Sequence, residues 1–195
     1  MNVRIEPFWR TLVVLISTIL ALTMNAQADG EKILFDFQVA TNAAVWQVVN
    51  DDVMGGVSTS RFEIASNSAG VFSGVVSLEN NGGFASVRSS TPVQDLSDCT
   101  GFLLRLRGDG HRYKFTVRTE DGFDTPLYQH GFVTKRGEWE EQRLAFKDFI
   151  PTFHGRTLAG VPPLNPAKVL AVGVLIADKQ EGPFRLEIGW VKAGP

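Results

Sequence analysis

Short runs of β-branched and aromatic residues recur along the chain from residue 33 onwards, separated by Gly, Asn, Asp or Pro. Such runs are typical of β-strands, and the sequence beyond residue 29 contains no convincing amphipathic helix. A single helical turn is expected at 147–150, before Pro151. The pattern predicts about ten strands, at residues 33–37, 45–49, 71–78, 83–89, 102–107, 112–119, 132–135, 140–146, 169–177 and 184–191.

Several predicted strands alternate between apolar and polar positions. In 102–107, Phe102, Leu104 and Leu106 point to one side, whereas Arg105 and Arg107 point to the other. Each sheet should therefore have one buried face. Many short strands without crossover helices predict an all-β fold, an antiparallel β-sandwich or jelly roll, formed as a single domain.

The segment 107–111, Arg-Gly-Asp-Gly-His, has the composition of a hairpin connection between two alternating strands. The second of these strands, 112–119, places Tyr113 and Phe115 opposite Lys114 and Arg118. The pattern therefore predicts that strands 102–107 and 112–119 are neighbours and share one basic face.

The N-terminus has the features of a targeting segment. Arg4 and Arg10 flank the start of an apolar stretch at 11–24, and Ala-Gln-Ala at 26–28 matches the pattern accepted by signal peptidase. The sequence predicts a signal peptide at 1–28, cleaved before Asp29, and a mature domain at 29–195 without a stable membrane span. The alternative is an uncleaved membrane anchor. This is less favoured, because the apolar stretch at 11–24 is shorter than the roughly 20 apolar residues that a spanning helix needs. An exported protein, periplasmic or extracellular, is expected.

Charge and cysteine content narrow the function classes. The sequence contains 19 Lys and Arg against 21 Asp and Glu, so no overall field attracts a polyanion, and nucleic acid is not expected as a partner. Cys99 is the only cysteine, which excludes an internal disulfide. Its position just before an apolar strand predicts a small buried residue rather than a nucleophile.

Two stretches are more distinctive than generic sandwich patterning. They are WQVVNDDVMGGVS at 46–58 and GVVSLENNGGFASVR at 74–88, followed by Trp139, LAFKDF at 144–149 and GPFRLEI at 182–188. Together they resemble the complex I intermediate-associated protein 30 (CIA30) family, over about 35–190. The resemblance implies a galactose-binding-domain-like jelly roll, related in shape to carbohydrate-binding modules.

The resemblance also implies a role. The mitochondrial members act as chaperones in building respiratory complex I, which implies a protein partner such as a membrane-complex subunit or an assembly intermediate. The predicted export signal places this chain in a different setting, because those members work on the matrix side.

The paired glycines 55–56 and 82–83 permit unusual backbone conformations or close approach, and the neighbouring Asn and Asp side chains can bond to their own loops. One interpretation is two tight polar turns. The other is that the loops converge at one end of the sandwich and form a binding rim. The candidate rim comprises Asn50, Asp51, Asp52, Met54, Asn80, Asn81, Arg88 and Arg105.

The outward-facing arginines have two interpretations as well. Asp51 and Asp52 can pair with an arginine such as Arg88 and hold their loop to the sheet. Alternatively, the arginines line a concave face and meet an acidic or hydroxyl-rich ligand. The arginines concerned are Arg88, Arg105, Arg107 and Arg118.

Catalytic motifs are missing from the sequence. It has no nucleophile elbow, His-Glu-x-x-His, phosphate loop, cysteine pair or dinucleotide fingerprint, so we expect a non-catalytic protein without a cofactor. No loop has the acid spacing that specifies calcium, and no metal is assigned.

An exported carbohydrate-binding module is the alternative function. Sugar binding in such sandwiches generally needs exposed rings for stacking. The available rings are Trp46, Trp139, Tyr113 and Tyr128. Their burial decides between the two hypotheses, since four buried rings leave no platform for a sugar and favour a protein-binding surface.

Overall fold

The computed structural model describes residues 30–38, 45–90, 95–122 and 125–195, apart from the side chains of Val53 and Met54. Short 3-10 turns lie at Asp51–Met54, Glu79–Asn81, Phe146–Asp148 and Pro166–Lys168. The strands are β1 (Lys32–Asp36), β2 (Trp46–Asn50), β3 (Thr59–Ile64), β4 (Gly70–Val76), β5 (Ala85–Ser89), β6 (Gly101–Arg107), β7 (Arg112–Arg118), β8 (Leu127–Val133), β9 (Trp139–Ala145), β10 (Ile150–Phe153), β11 (Arg156–Thr157), β12 (Ala171–Ile176) and β13 (Gly182–Gly194).

These strands form two sheets whose ladders are antiparallel. One sheet has six strands in the order β3-β4-β13-β6-β9, with β1 also paired to β13. The other has seven strands in the order β11-β10-β8-β7-β12-β5-β2. The predicted antiparallel β-sandwich is confirmed.

The core lies between the two sheets and is rich in aromatic rings. Phe102 of β6 meets Phe115 of β7 across the sandwich with ring centroids 4.9 Å apart, and Phe146 and Phe149 close over the same ring. Phe102 and Phe115 are fully buried. The predicted alternation is confirmed here, because Leu104 and Leu106 are also buried whereas Arg105 is exposed.

The predicted hairpin at 107–111 is wrong. β6 pairs with β13 and β9, whereas β7 pairs with β8 and β12, so the segment crosses from one sheet to the other. The Asp109 carboxylate fixes the crossing by accepting hydrogen bonds from the amides of His111 (3.0 Å) and Arg185 (2.6 Å) and from the Tyr113 hydroxyl (3.0 Å). The arginines of β6 and β7 therefore lie on opposite outer faces of the sandwich.

Other boundaries differ from the prediction. β3, β10 and β11 were not predicted, and β8 lies at Leu127–Val133 rather than 132–135. The predicted turn at 147–150 is a 3-10 turn at Phe146–Asp148, and the chain continues through Pro151 as β10. In β3 the exposed positions carry Thr59, Arg61 and Glu63, which weakened the strand signal.

The predicted cleavage site before Asp29 lies outside the described residues. In the part of the chain that the structure describes, no helix has the length and apolar character to cross a membrane.

Truncating the ring at the centre of the core tests this packing. We expect Phe102→Ala to lower the free energy of unfolding by about 3–5 kcal/mol, because it leaves a cavity among three aromatic neighbours. Val75→Thr is the control, since Val75 is 48% exposed and surface substitutions usually change stability by less than about 0.5 kcal/mol. Urea denaturation of both variants measures the difference. A loss for Phe102→Ala no larger than the control's would contradict this packing.

Candidate binding groove

The two glycine-rich loops meet at the buried carboxylate of Asp51. Its Oδ1 accepts a hydrogen bond from the Ser58 amide (2.9 Å). Its Oδ2 accepts bonds from the Ser58 hydroxyl (2.6 Å), the Gly83 amide (2.7 Å) and the Phe84 amide (3.3 Å). Asp51 and its three partners, Ser58, Gly83 and Phe84, are called the Asp51 cluster below. The cluster joins the β2–β3 connection to the β4–β5 connection, and both connections cross between the sheets.

The glycines of the loop motifs are explained by this cluster. A Cβ atom at Gly56 would overlap the Asp51 carboxylate, and a Cβ at Gly82 would lie 2.6 Å from its Oδ2. Larger residues at these positions would displace the carboxylate from its donors. The two motifs therefore have a structural role at the point where the loops converge.

The donors around Asp51 also set its acidity. Burial raises the pKa of this carboxyl, but the hydrogen bonds from the Ser58 hydroxyl and from the Gly83, Phe84 and Ser58 amides together outweigh burial. The pKa of Asp51 is therefore lower than its ordinary value of 3.8. The carboxylate is charged in the folded protein at neutral pH.

Most of the candidate rim residues lie around the Asp51 cluster. Asn50 ends β2, and its Oδ1 accepts a hydrogen bond from the Ser60 hydroxyl (2.6 Å). Asp52 and Met54 belong to the following 3-10 turn; Asp52 is exposed, and the Met54 side chain is outside the described part. Asn80 and Asn81 are exposed in the facing turn, with φ of 54° and 60°.

Arg88 and Arg105 are separated by the thickness of the sandwich. Arg88 lies on the outer face of the seven-stranded sheet, in β5. Arg105 lies on the outer face of the six-stranded sheet, where it pairs with Glu141 (3.7 Å) and lies over the Trp139 ring. The predicted pairing of Asp51 with an arginine is wrong, because backbone amides and a hydroxyl occupy its oxygens.

A groove of about 540 Å³ lies on the outer face of the seven-stranded sheet. The ladder register places Gln47, Arg88, Gly173, Thr116 and Gln129 side by side across β2, β5, β12, β7 and β8. The lining combines polar and apolar groups and is bordered by Phe84 and Asn81 near β5 and by Phe153 and His154 near β10. Further lining residues include Val49, Ser86, Lys114, Arg118, Leu127 and Leu175.

The cations of the groove have different partners. Lys114 pairs with Asp178 (2.6 Å). Arg118 donates to the Gly122 carbonyl (2.9 Å), and its pKa is lowered by burial and by the positive charge of Arg88. Arg88 forms no hydrogen bond or ion pair from its guanidinium within the described residues. An adjoining cavity of about 500 Å³ shares both arginines and is also lined by Glu120 and Asp121.

The four candidate sugar-stacking rings are not in the groove. Trp46, Tyr113 and Tyr128 are 7%, 0% and 6% exposed and belong to the core. Trp139 is half-buried on the opposite sheet, and the guanidinium carbons of Arg105 and Arg107 lie over its ring, 5.5 and 5.1 Å from the ring centroid.

Sequence reasoning identified part of the groove. The alternation in 112–118 placed Lys114 and Arg118 on one outward face, and Arg88 was a candidate. Gln129, Phe84 and Phe153 were missed, because their contribution depends on strand pairing and on the boundaries of β8 and β10.

The comparisons with known proteins agree with the motifs. A family model described as complex I intermediate-associated protein 30 matches residues 35–188. The mitochondrial protein of that name from Drosophila melanogaster is 27% identical, over 82% of this chain and 61% of that protein. Its Neurospora crassa namesake is 26% identical, over 82% of this chain and 72% of that protein. The chain spans less than two thirds of the first relative's length.

Solved structures with a similar fold include a family 11 carbohydrate-binding module from a cellulosomal cellulase of Clostridium thermocellum. The TM-score is 0.65 and the identity is 15%, with 85% of this chain and 95% of that chain covered. At this identity the similarity concerns the fold, a sandwich of two antiparallel sheets.

Replacing the central carboxylate tests the Asp51 cluster. We expect Asp51→Asn to lower the free energy of unfolding at neutral pH by about 2–4 kcal/mol, since an amide places donors against the donors that Asp51 accepts from. Asp98→Asn is the control, because the Asp98 side chain is 90% exposed. Chemical denaturation across pH measures both.

The pH dependence gives a second readout of the same variant. The pKa of Asp51 is lower in the folded protein than in the unfolded chain. The charged carboxylate therefore stabilises the fold fully above pH 3.8, and this stabilisation is lost as the pH falls through the lower folded pKa. The difference between wild type and Asp51→Asn should therefore shrink below pH 3.8. A difference that stays constant over this range would contradict the charged cluster.

Proposed function

Because the chain belongs to the complex I intermediate-associated protein 30 family, we propose that it is a non-catalytic binding protein that holds a segment of another protein in the groove during assembly of a membrane complex. The family's named members, including those of Drosophila melanogaster and Neurospora crassa, are called complex I intermediate-associated proteins. The groove is the observation that carries the proposal, since it offers side chains of several adjacent strands to one extended ligand.

The chemistry of the groove fits a polypeptide. Thr116, Gln129 and Ser86 offer hydroxyl and amide groups for backbone hydrogen bonds, and Leu127 and Leu175 offer apolar contacts between them. Binding sites commonly combine apolar surface with a few polar groups that fix orientation.

The acids with buried or half-buried side chains argue against a catalytic role for the groove. Asp51 and Asp109 accept hydrogen bonds from backbone amides, and Glu187 pairs with Arg107 and Arg185. Burial raises the pKa of the Cys99 thiol, which disfavours the thiolate form that a nucleophile needs. These groups hold the fold together instead of facing the groove.

The carbohydrate alternative is less well supported. Burial of Trp46, Tyr113 and Tyr128 removes three of the four rings proposed for stacking, and Trp139 lies on the other sheet. The groove retains Phe84 and Phe153, both half-buried at its borders. A glycan is therefore the competitor in the test of the function.

Site-specific photo-cross-linking tests the proposal. A benzoylphenylalanine at Gln129 reports on the groove, and one at the exposed Val75 on the outer face of the six-stranded sheet is the control. In cells that produce the protein, we expect the groove position to capture a membrane-complex subunit or assembly intermediate, identified by mass spectrometry, and the control position not to. Equal capture at both positions, or loss of the cross-link when a soluble glycan is present during irradiation, would contradict the proposal.

The compartment belongs to the same proposal. We propose that the protein acts outside the cytoplasm, on the basis of the signal peptide that the sequence predicts at 1–28. The intact mass of the protein from the cell envelope should correspond to a chain that begins at Asp29. Recovery of the uncleaved chain from the cytosol would overturn this localisation while leaving the groove proposal in place.

A further inference from the structure

We propose that Arg88 and Arg118 form an anion site in the groove that binds a side-chain carboxylate of an acidic, extended partner segment. This inference rests on the proposed function and specifies the chemistry of the partner. It follows from the position of the two guanidinium groups, from their lack of acidic partners and from the surface beside them.

The two arginines project from strands on either side of β12. Arg88 of β5 lies opposite Gly173, and Arg118 of β7 lies opposite Ala171. Two strand spacings and an offset of two residues along the strands separate their backbones by about 12 Å, and arginine side chains are long enough to reach toward each other over that distance. Only small groups lie between them, because Gly173 has no side chain, Ala171 has a methyl group, and the Thr116 hydroxyl lies next to Gly173. Both arginines line the same two cavities.

Their charges are not compensated within the described residues. Lys114, Arg107 and Lys192 form ion pairs with Asp178, Glu187 and Glu31. Arg88 and Arg118 form none, although Glu120 and Asp121 line the adjoining cavity.

Holding two like charges together beside a partly buried surface is unfavourable, and an anion between them reverses the sign of the interaction. Arg118 uses Nη1 for the Gly122 carbonyl, with Thr125 Oγ1 at 3.5 Å, which leaves other N–H groups of its fork for a ligand. Planar guanidinium forks match the geometry of a carboxylate.

The surroundings favour a polypeptide as the source of the carboxylate. Leu127 lies beside Arg118, because the adjacent residues Tyr128 and Val117 are paired, and Leu175 lies two residues beyond Gly173 on the same face. In an extended chain, alternate side chains lie on one face about 7 Å apart, so an acidic residue at the arginines places neighbouring apolar residues over the leucines. Lys114 is neutralised by Asp178, which makes the Arg88 end the cationic end of the groove.

Binding of matched peptides to the full chain tests the site. The probe is a short fluorescent peptide in which Val lies two residues before and two residues after a single Glu, so that all three share one face when the peptide is extended, and its control replaces the Glu with Gln. By anisotropy at low salt, we expect the Glu peptide to bind at least about tenfold more tightly, a preference that added salt reduces. Arg88→Gln and Arg118→Gln should each remove most of this preference. Arg61→Gln should keep it, because Arg61 pairs with Glu63 on the other sheet.

Thermal unfolding separates binding from a structural role. Because Arg88 repels Arg118 and has no acidic partner, Arg88→Gln should leave the melting temperature unchanged or raise it while it weakens peptide binding. A lower melting temperature together with unchanged binding would overturn the anion site.

The remaining outcomes distinguish this inference from the proposed function. If Arg88→Gln leaves the cross-link from position 129 intact, the groove holds a protein but the anion site is wrong. If an oligogalacturonate binds more tightly than the Glu peptide, the carboxylate comes from a glycan and the polypeptide proposal is overturned. Equal affinity for the Glu and Gln peptides also overturns it.

Discussion

A single buried carboxylate holds together two of the connections through which the chain passes between the sheets at one end of the sandwich. The β2–β3 and β4–β5 connections leave backbone amides of Ser58, Gly83 and Phe84 pointing inward, and Asp51 accepts from all three. An isolated buried charge would be costly, but hydrogen bonds from several donors compensate the loss of water. The glycines beside it are the consequence, since only a residue without Cβ leaves room for the carboxylate and its donors.

The sequence was most informative about burial and least informative about pairing. Alternation in 102–107 and 112–119 identified the inward faces correctly, because each side chain's preference for core or water is local to its position. The same alternation did not reveal that these consecutive strands belong to different sheets. That outcome depends on Asp109, whose carboxylate binds an amide 76 residues away in β13. β3 was missed because polar residues occupy its exposed positions.

The candidate site was predictable to a similar degree. The distinctive loops could be identified as motifs, and Arg88 and Arg118 as outward-facing, from spacing alone. The placement of the two arginines in one groove could not be predicted, because it depends on β12, which comes from a distant part of the sequence and inserts between β5 and β7. The grouping of Arg105 with Arg88 failed for the same reason, since the two strands lie in different sheets.

The structural and the binding interpretations of the glycine-rich loops are connected through strand register. Asp51 fixes the amides of Gly83 and Phe84, and β5 begins at the next residue. This anchoring places Ala85 and Val87 in the core and leaves Ser86 and Arg88 on the groove. A slip of one residue would turn Arg88 inward. The loop therefore needs no contact with a ligand to influence binding, because the position at which it starts β5 decides which side chains the groove presents.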